Sequence, residues 1–200
     1  MTLSSRLLRR RAFAPILFGL ALPWPAGAQR RQYQFDQRFG RIGFTARHFG
    51  LMSSNASFSR FDAQVALDPD NPSQATIEAI VETTSIDMAW PGGVDLLRSP
   101  AFFDSASHPQ ARFVGQAEGV ARPERFNING ALTLRGITRP LMMEARLVKR
   151  SRDTPEGAET AEFTASGTLD RTEYGMVEDR IIISDRIRLD VLVRLQLGPA

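Results

Sequence analysis

Apolar and polar residues alternate with a period of two along most of the chain, a pattern typical of β-strands with one buried face. The pattern is clearest in the last predicted strand. Its apolar face consists of Ile187, Leu189, Val191, Val193, Leu195 and Leu197. Its other face carries Arg186, Arg188, Asp190, Arg194 and Gln196, with Leu192 as the exception. One side of this strand is therefore expected to face a core and the other to face water.

Similar alternation, or strand-like composition, predicts seven further strands. They fall at 42–48, 61–67, 76–83, 111–120, 126–135, 141–150 and 162–170. A bulge is predicted near 58–60, and Pro-, Gly- and Asp-rich turns at 68–72, 122–124 and 153–157. Helices are predicted only as short segments at 49–53 and 94–103.

About eight long antiparallel strands predict an all-β chain. A closed barrel is favoured because it leaves no free strand edges, with a two-sheet sandwich as the rival. An outer-membrane barrel is disfavoured, since the face opposite the apolar one is charged and lacks aromatic girdles. A barrel of this size can be filled by side chains or can hold a ligand, and periodicity does not distinguish the two.

The first 28 residues are predicted to be a signal peptide. Four arginines precede an apolar run at 12–22, and Ala26-Gly27-Ala28 fits a small-residue cleavage site. The run is too short for a membrane anchor. Arg10-Arg11 also resembles a twin-arginine signal, so export by the general secretory route or the twin-arginine route stays open. Residues 29–200 are then one domain, exported to the periplasm.

Removal of this segment changes the charge of the chain. The whole sequence has 25 basic and 22 acidic residues, a net charge of +3. Without the four arginines of residues 1–28, 21 basic residues remain against 22 acidic ones, a net charge of −1. No basic field then argues for a nucleic-acid partner. The absence of cysteine excludes disulfides, thiolate metal sites and a cysteine nucleophile.

No catalytic motif is recognisable in the sequence. It lacks a nucleophile elbow, a phosphate loop, a dinucleotide fingerprint and a zincin helix. Its two histidines, His48 and His108, are too far apart in the chain for a local metal motif. For His48, at the end of an apolar strand face, both a structural hydrogen bond and a polar contact at a pocket mouth stay open.

Four regions occur in an order and spacing that resemble a known family. They are 33–36 with 43–48, 97–104 with 108–113, 130–140, and 170–176. The second begins Leu-Arg-Ser-Pro-Ala-Phe-Phe-Asp, and the third reads Gly-Ala-Leu-Thr-Leu-Arg-Gly-Ile-Thr-Arg-Pro. Taken together they resemble the YceI-like family of periplasmic lipid-binding barrels, from Tyr33 to the last strand.

The resemblance implies an extended eight-stranded lipocalin-like barrel with a tunnel for an amphiphile that has a long isoprenoid tail, such as a polyprenyl or quinone-like lipid. It implies a carrier or sequestering protein, with a short helix as lid, rather than an enzyme, and no cofactor other than such a lipid. Parity, meaning the position of a residue in the alternation of inward and outward faces, is used here together with the matched motifs. The predicted apolar lining residues are Phe44, Phe58, Phe103, Phe113, Leu134, Tyr174 and Met176. The predicted polar contacts are His48 and Arg98.

Two segments depart from the family pattern. Phe39-Gly40 stands where the family usually has His-Ser, and Gly93-Val94-Asp95-Leu96 replaces an Arg-Asp-x-His run. The ligand head group therefore stays open. The alternatives are a solid-cored stress-related or interaction module and an enzyme on the same barrel. The delivery partner and the oligomeric state, with a homodimer among the alternatives, are not determined by the sequence.

Overall fold

The computed structural model describes residues 31–68, 71–122, 125–151 and 159–197. The strands are β1 (Arg31–His48), β2 (Met52–Phe58), β3 (Phe61–Asp68), β4 (Asn71–Glu82), β5 (Ile86–Met88), β6 (Gln110–Arg122), β7 (Arg125–Leu134), β8 (Ile137–Ser151), β9 (Thr160–Asp170) and β10 (Arg186–Leu197). Helix α1 is Gly93–Arg98, and 3-10 helices occupy Thr83–Ser85 and Arg171–Tyr174. The predicted signal peptide, and all or the central part of each predicted turn, lie outside the described residues.

The strands form one antiparallel sheet that closes on itself. Their order is β10-β9-β8-β7-β6-β4-β3-β1-β2-β5, and β10 also pairs with β1. The long β1 pairs with β3 near its start and with β2 near its end. β2 and β3 therefore share one position in the ring, and β4 and β5, which pair with them, share the next. The ten strands occupy eight positions, which confirms the predicted antiparallel barrel.

Two local predictions can be compared directly with the backbone. The predicted bulge coincides with residues 59–60, where β2 ends and β3 begins. The predicted helix at 49–53 is wrong. Phe49 and Gly50 have φ of 50° and 71°, and the amide of Leu51 donates to the carbonyl of His48 at 3.1 Å. These positive φ values make a tight turn rather than a helix, and β2 follows at once.

The helix predicted at 94–103 is present but shorter. It ends at Arg98, and Ser99 is already extended with φ −65° and ψ 164°. Pro100 explains the end, because its ring disfavours helical backbone at the preceding residue. The following residues form turns, in which the amides of Phe103 and Asp104 donate to the carbonyls of Leu97 and Ser99. Within the described residues, no helix is long and apolar enough to cross a membrane.

The predicted alternation of buried and exposed side chains holds around the barrel. In β8, for example, Leu141, Met143 and Ala145 are buried and their neighbours are exposed. One close approach depends on glycine. A Cβ atom at Gly130 would lie 2.5 Å from Cζ of Phe113 and 2.6 Å from the carbonyl oxygen of Val114. Only glycine lets the Phe113 ring lie against β7.

Candidate functional site

The interior of the barrel contains two adjoining cavities, each with a volume of about 160 Å³. The first, here called the inner cavity, has a lining that consists of apolar side chains only. The second, called the mouth cavity, lies beside α1. Four residues line both cavities and form a waist between them: Ile42, Val81, Leu132 and Leu189. The barrel is therefore not filled by its own side chains, and its free space is elongated.

Aromatic rings form one wall of the mouth cavity. The centroids of Phe44, Phe58 and Phe103 lie 5.5 to 5.8 Å apart, with Phe58 and Phe103 edge to face. The rings come from β1, β2 and the turn after α1. Their mutual packing fixes the shape of this end of the cavity, because such pairs prefer a defined geometry.

The polar residues of the mouth-cavity lining are His48, Ser54, Asn55 and Arg171. His48 is the last residue of β1, two positions after Ala46 on the inward parity. Its Nε2 atom is buried and has no hydrogen-bond partner in the described structure. A buried nitrogen without a partner costs about 1–3 kcal/mol. His48 therefore offers an unused hydrogen-bonding atom in the wall of an otherwise largely apolar cavity.

Arg171 is the second polar group of functional interest, and only 2% of its surface is exposed. Its Nε donates to the carbonyl of Ser184 at 3.1 Å, Nη1 to Met176 at 2.9 Å, and Nη2 to Ile183 at 3.0 Å. Burial lowers the pKa of this guanidinium, and the nearby Asp185 partly opposes that shift. Three carbonyl oxygens thus hold a buried cation in place at the cavity wall.

The segments that carry the family resemblance meet at this end of the barrel. Arg135, in the turn between β7 and β8, donates through Nη1 to the carbonyl of Phe102 at 2.8 Å and of Gly175 at 3.1 Å. It therefore connects the turn after α1 to the turn after the 3-10 helix at Arg171–Tyr174. Residues 97–104, 130–140 and 170–176, separated along the chain, together close one end of the interior.

Seven of the nine predicted site residues line the two cavities. Phe44, His48, Phe58, Phe103, Leu134 and Met176 line the mouth cavity, and Phe113 lines the inner cavity. The alternation of faces along the strands and the matched motifs together predicted these residues. Their role in ligand binding stays a prediction.

The structure does not bring Arg98 and Tyr174 to either lining. Arg98 lies at the end of α1, and its Nη2 donates to the carbonyl of Thr84 at 2.6 Å, so it ties the helix to the 3-10 helix at Thr83–Ser85. Tyr174 is buried beside Gly175, in the turn that Arg135 holds. Both residues support the closed end of the barrel rather than its free space.

Burial raises the pKa of Tyr174, with a smaller contribution from Glu173 in the same direction. The folded protein therefore keeps the phenol proton to a higher pH than the unfolded chain, whose tyrosines titrate near about pH 10. This contribution to stability is present below about pH 10 and is lost as the pH rises through the folded pKa.

We expect denaturant titrations to show the free energy of unfolding falling more steeply above about pH 10 in the wild type than in Tyr174→Phe. The phenylalanine variant lacks the titrating proton and nearly conserves volume. Equal slopes in the two proteins would contradict the assignment of this alkaline loss to Tyr174.

A larger concavity, of about 640 Å³, lies on the outer face of β1, β2 and β7–β10. Its lining is mostly polar and open to water, with Arg41, Arg125, Arg146 and Arg188 beside Glu144 and Asp190. Arg188 already pairs with Asp190 at 3.0 Å. An open polar surface of this kind does not enclose a ligand, so the interior cavities are the candidate site.

Most of the mouth-cavity lining was not predicted from the sequence, and two of those residues, Arg171 and Trp90, are of functional interest. Arg171 was not selected because it follows the last residue of a strand, and nothing local shows that its guanidinium turns inward. Its position in the matched segment 170–176 is the signal that could have identified it. Trp90, in the loop before α1, also lines the cavity. No strand or helix periodicity covers that loop.

Comparison with known proteins places this geometry in context. A family model described as YceI-like domain matches residues 33–195. A UPF0312 protein of Pectobacterium carotovorum is 31% identical over 164 residues, which cover 81% of this chain and 84% of that protein.

Two solved structures share the fold. BcnA from Burkholderia cenocepacia has a TM-score of 0.71 at 19% identity, covering 80% of this chain and 98% of that one. A polyisoprenoid binding domain from Saccharophagus degradans, implicated in plant cell wall breakdown, has a TM-score of 0.62 at 10% identity, covering 85% and 100%.

Proposed function

Because this chain belongs to the YceI-like family, we propose that it binds a lipid with a long isoprenoid-like tail inside the barrel and carries or sequesters that lipid in the periplasm. The observation that carries the proposal is the inner cavity, whose lining consists of apolar side chains only and which adjoins the mouth cavity at a shared waist. A tail can occupy such a path without leaving polar groups unpaired.

The energy of tail burial supports an enclosed path. Each buried CH₂ contributes about 0.8 kcal/mol, so a tail of about twenty carbons represents about 16 kcal/mol of gross transfer free energy. The costs of association reduce that figure, yet it is large enough to drive binding of a molecule with a small head group. The solved domain from Saccharophagus degradans, described as polyisoprenoid binding, supports the same ligand class.

The polar end of the ligand is proposed to lie in the mouth cavity. His48 offers an unpaired Nε2 there, and Arg171 supplies a fixed positive charge in the wall. The tail would then point through the waist into the inner cavity. Helix α1 is proposed as the lid over this end, since Leu96 and Leu97 on it belong to the lining and Arg98 ties it to Thr84.

Replacement of His48 by leucine is expected to weaken binding of a prenyl alcohol about tenfold, within the range of about 1–3 kcal/mol for one buried hydrogen bond. The matched ligand is the hydrocarbon of the same tail length without the hydroxyl, for which binding is expected to be unchanged. Displacement of a fluorescent fatty acid measures both affinities. An equal loss for the two ligands would show that His48 acts by packing alone.

A periplasmic location is proposed from residues 1–28 of the sequence. The basic start, the apolar run and the Ala26-Gly27-Ala28 site are the features that support export and cleavage. The measurement is the N-terminal mass of the protein recovered from the periplasm of an expressing bacterium. Recovery of the uncleaved chain from the cytoplasm would reject this part of the proposal.

The carrier proposal is tested by native mass spectrometry of the protein purified from its own host without detergent. We expect a mass above that of the bare chain, and an isoprenoid-like lipid in the organic extract of the same sample. A bare mass, together with an extract empty of lipid, would reject the carrier function.

A further inference from the structure

An exposed apolar surface surrounds the end of the barrel at which the mouth cavity lies. We call it the apolar rim, and its residues are Phe49, Leu51, Met52, Trp90, Leu96, Ile181 and Ile182, all of which are exposed. Surface apolar residues are normal when scattered singly, but a contiguous group marks an interaction surface. This group needs a partner that accepts large apolar side chains.

Backbone contacts bring two parts of the rim side by side. The amide of Phe49 donates to the carbonyl of Ile182 at 3.0 Å, and His48 forms a bridge with Ile183. The turn between β1 and β2 and the loop before β10 are therefore neighbours, although about 130 residues separate them. Their tips are the most exposed apolar side chains described, with Leu51 and Ile181 each 93% exposed.

The third part of the rim joins it to the cavity. Trp90 and Leu96 line the mouth cavity and are also exposed to solvent, Trp90 at 57%. Phe49 and Ile182 directly follow and precede the lining residues His48 and Ile183, and Trp90 and Leu96 are lining residues themselves. Apolar surface thus reaches from the rim into the barrel interior. A lipid tail that moved along this surface would stay in contact with apolar groups on the protein.

We propose that the apolar rim docks on the interfacial region of a zwitterionic phospholipid bilayer, so that lipid passes between the membrane and the mouth cavity without crossing water. This inference rests on the proposed lipid-binding function. Trp, Phe and Leu side chains at protruding positions suit the headgroup and acyl-chain boundary, where one end of the ring is wet and the other apolar.

The charges next to the rim favour a zwitterionic surface over an anionic one. Along the chain, the segments that form the rim carry Glu178, Asp179 and Asp95 as well as Arg47 and Arg98, and Arg180 pairs with Asp185 at 2.6 Å. Attraction to anionic lipid needs clusters of several unopposed basic residues. The mixed charges near the rim supply no such cluster. Insertion of apolar side chains is therefore expected to drive docking, and the salt concentration is expected to have little effect on binding to vesicles.

The chain provides its own reporter of docking. It has two tryptophans, Trp24 and Trp90. Trp24 lies in the segment proposed to be removed on export, so in the protein recovered from the periplasm fluorescence comes from Trp90 alone, which lies in the rim. Mixing with phosphatidylcholine vesicles whose acyl chains are brominated is expected to quench this fluorescence and shift it to the blue, and the quenching is expected to persist in about 1 M salt.

The rim variant replaces Leu51 and Ile181 by serine in that protein, and the matched control replaces the exposed Met142 and Val148 on the outer face of β8 by serine. Because the four side chains are exposed, both variants are expected to fold, which thermal unfolding verifies. We expect the rim variant to lower the partition coefficient about tenfold or more and the control to change it less than about twofold.

Three outcomes overturn the proposal. One is that brominated vesicles do not quench the Trp90 fluorescence of the protein that keeps Leu51 and Ile181. Another is that the rim variant and the control variant lose vesicle partitioning to the same extent. The third is a concentration-dependent dimer, seen by analytical ultracentrifugation, that the rim variant abolishes, which would assign the rim to a second copy of the chain.

Binding of cis-parinaric acid in buffer without vesicles separates this proposal from the carrier function. We expect the rim variant to bind this probe as the wild type does, while taking it up more slowly from vesicles. If no variant binds the probe but the rim still docks on vesicles, the carrier proposal fails and the docking surface stands.

Discussion

Replacement of Arg171 by methionine is expected to lower the free energy of unfolding by about 3–5 kcal/mol, because each buried carbonyl left without a donor costs about 1–3 kcal/mol. Methionine has a similar length and fills much of the same volume, but it leaves three carbonyl oxygens in the barrel wall without their donor. These belong to Met176, Ile183 and Ser184. The guanidinium holds together two segments of the loop before β10, so its loss also loosens the wall of the mouth cavity.

The cost of burying a cation opposes this loss of stability, because the substitution removes that cost. Burial removes water from the guanidinium of Arg171, which disfavours its charged form and lowers its pKa. Removal of a buried charge together with its partners can be neutral or stabilising. Here the partners are backbone carbonyls that remain after the substitution, so the loss of their hydrogen bonds is expected to outweigh the relief of the charge.

Urea unfolding measures the change, with two comparison variants. Arg171→Lys retains the charge, but its single nitrogen does not reproduce the spacing of the three guanidinium nitrogens that donate to the three carbonyls. Its loss of stability is therefore expected to be smaller than that of Arg171→Met. Arg180→Met removes an exposed arginine from the same region and is expected to destabilise the protein less than either substitution of Arg171. If Arg171→Met lost no more than Arg180→Met, the buried guanidinium would not be holding the loop.

Replacement of Ala145 by phenylalanine is expected to weaken binding of a long isoprenoid alcohol by about 10²–10³-fold. Ala145 is buried on β8, lines the inner cavity and pairs with Phe126 on β7 and with Ala165 on β9. A ring at this position would occupy much of a cavity of about 160 Å³. Exclusion of about four or five methylenes corresponds to about 3–4 kcal/mol, which gives the stated factor.

Tail length provides the internal control for this prediction. An alcohol short enough to lie in the mouth cavity alone does not reach Ala145 and is expected to bind both proteins equally. Val148→Phe adds the same ring on the exposed side of β8 and is expected to leave both affinities unchanged. Isothermal titration with the two alcohols makes the comparison.

The added ring can also strain the barrel by about 1–3 kcal/mol, so the smaller Ala145→Leu serves as a second variant with a graded effect. Unfolding measurements on both variants identify any loss of folded protein. Weakening of short and long alcohols by the same factor would show that the two cavities do not form one path for the tail.

Much of the barrel could be predicted from the sequence because the alternation of strands is local. Successive side chains of a strand point to opposite faces, so the inward parity of Ile42, Phe44 and Ala46 also places His48 in the interior. The helix predicted at 49–53 was wrong for an equally local reason. The positive φ of Phe49, a residue type that rarely adopts this backbone, makes a turn that composition does not reveal.

The site was predictable only where parity or a matched segment applied. Leu134 and Met176 were placed in this way, and both line the mouth cavity. Tyr174 and Arg98 belong to matched segments as well, yet one packs in a turn and the other ties α1 to Thr84. A motif shows which residues occur near a site, but the direction of each side chain in a turn depends on neighbours that are distant in the chain.

By itself the sequence determined the all-β class and the face of each strand that points inward, since these depend on backbone geometry repeated every two residues. Only the tertiary structure decided that the sheet closes into a barrel, that its interior holds two joined cavities, that Arg171 is buried against three carbonyls, and that the apolar rim reaches the mouth cavity. Free space and surface continuity arise where segments far apart in the chain meet. They are properties of the closed ring, and no local pattern encodes them.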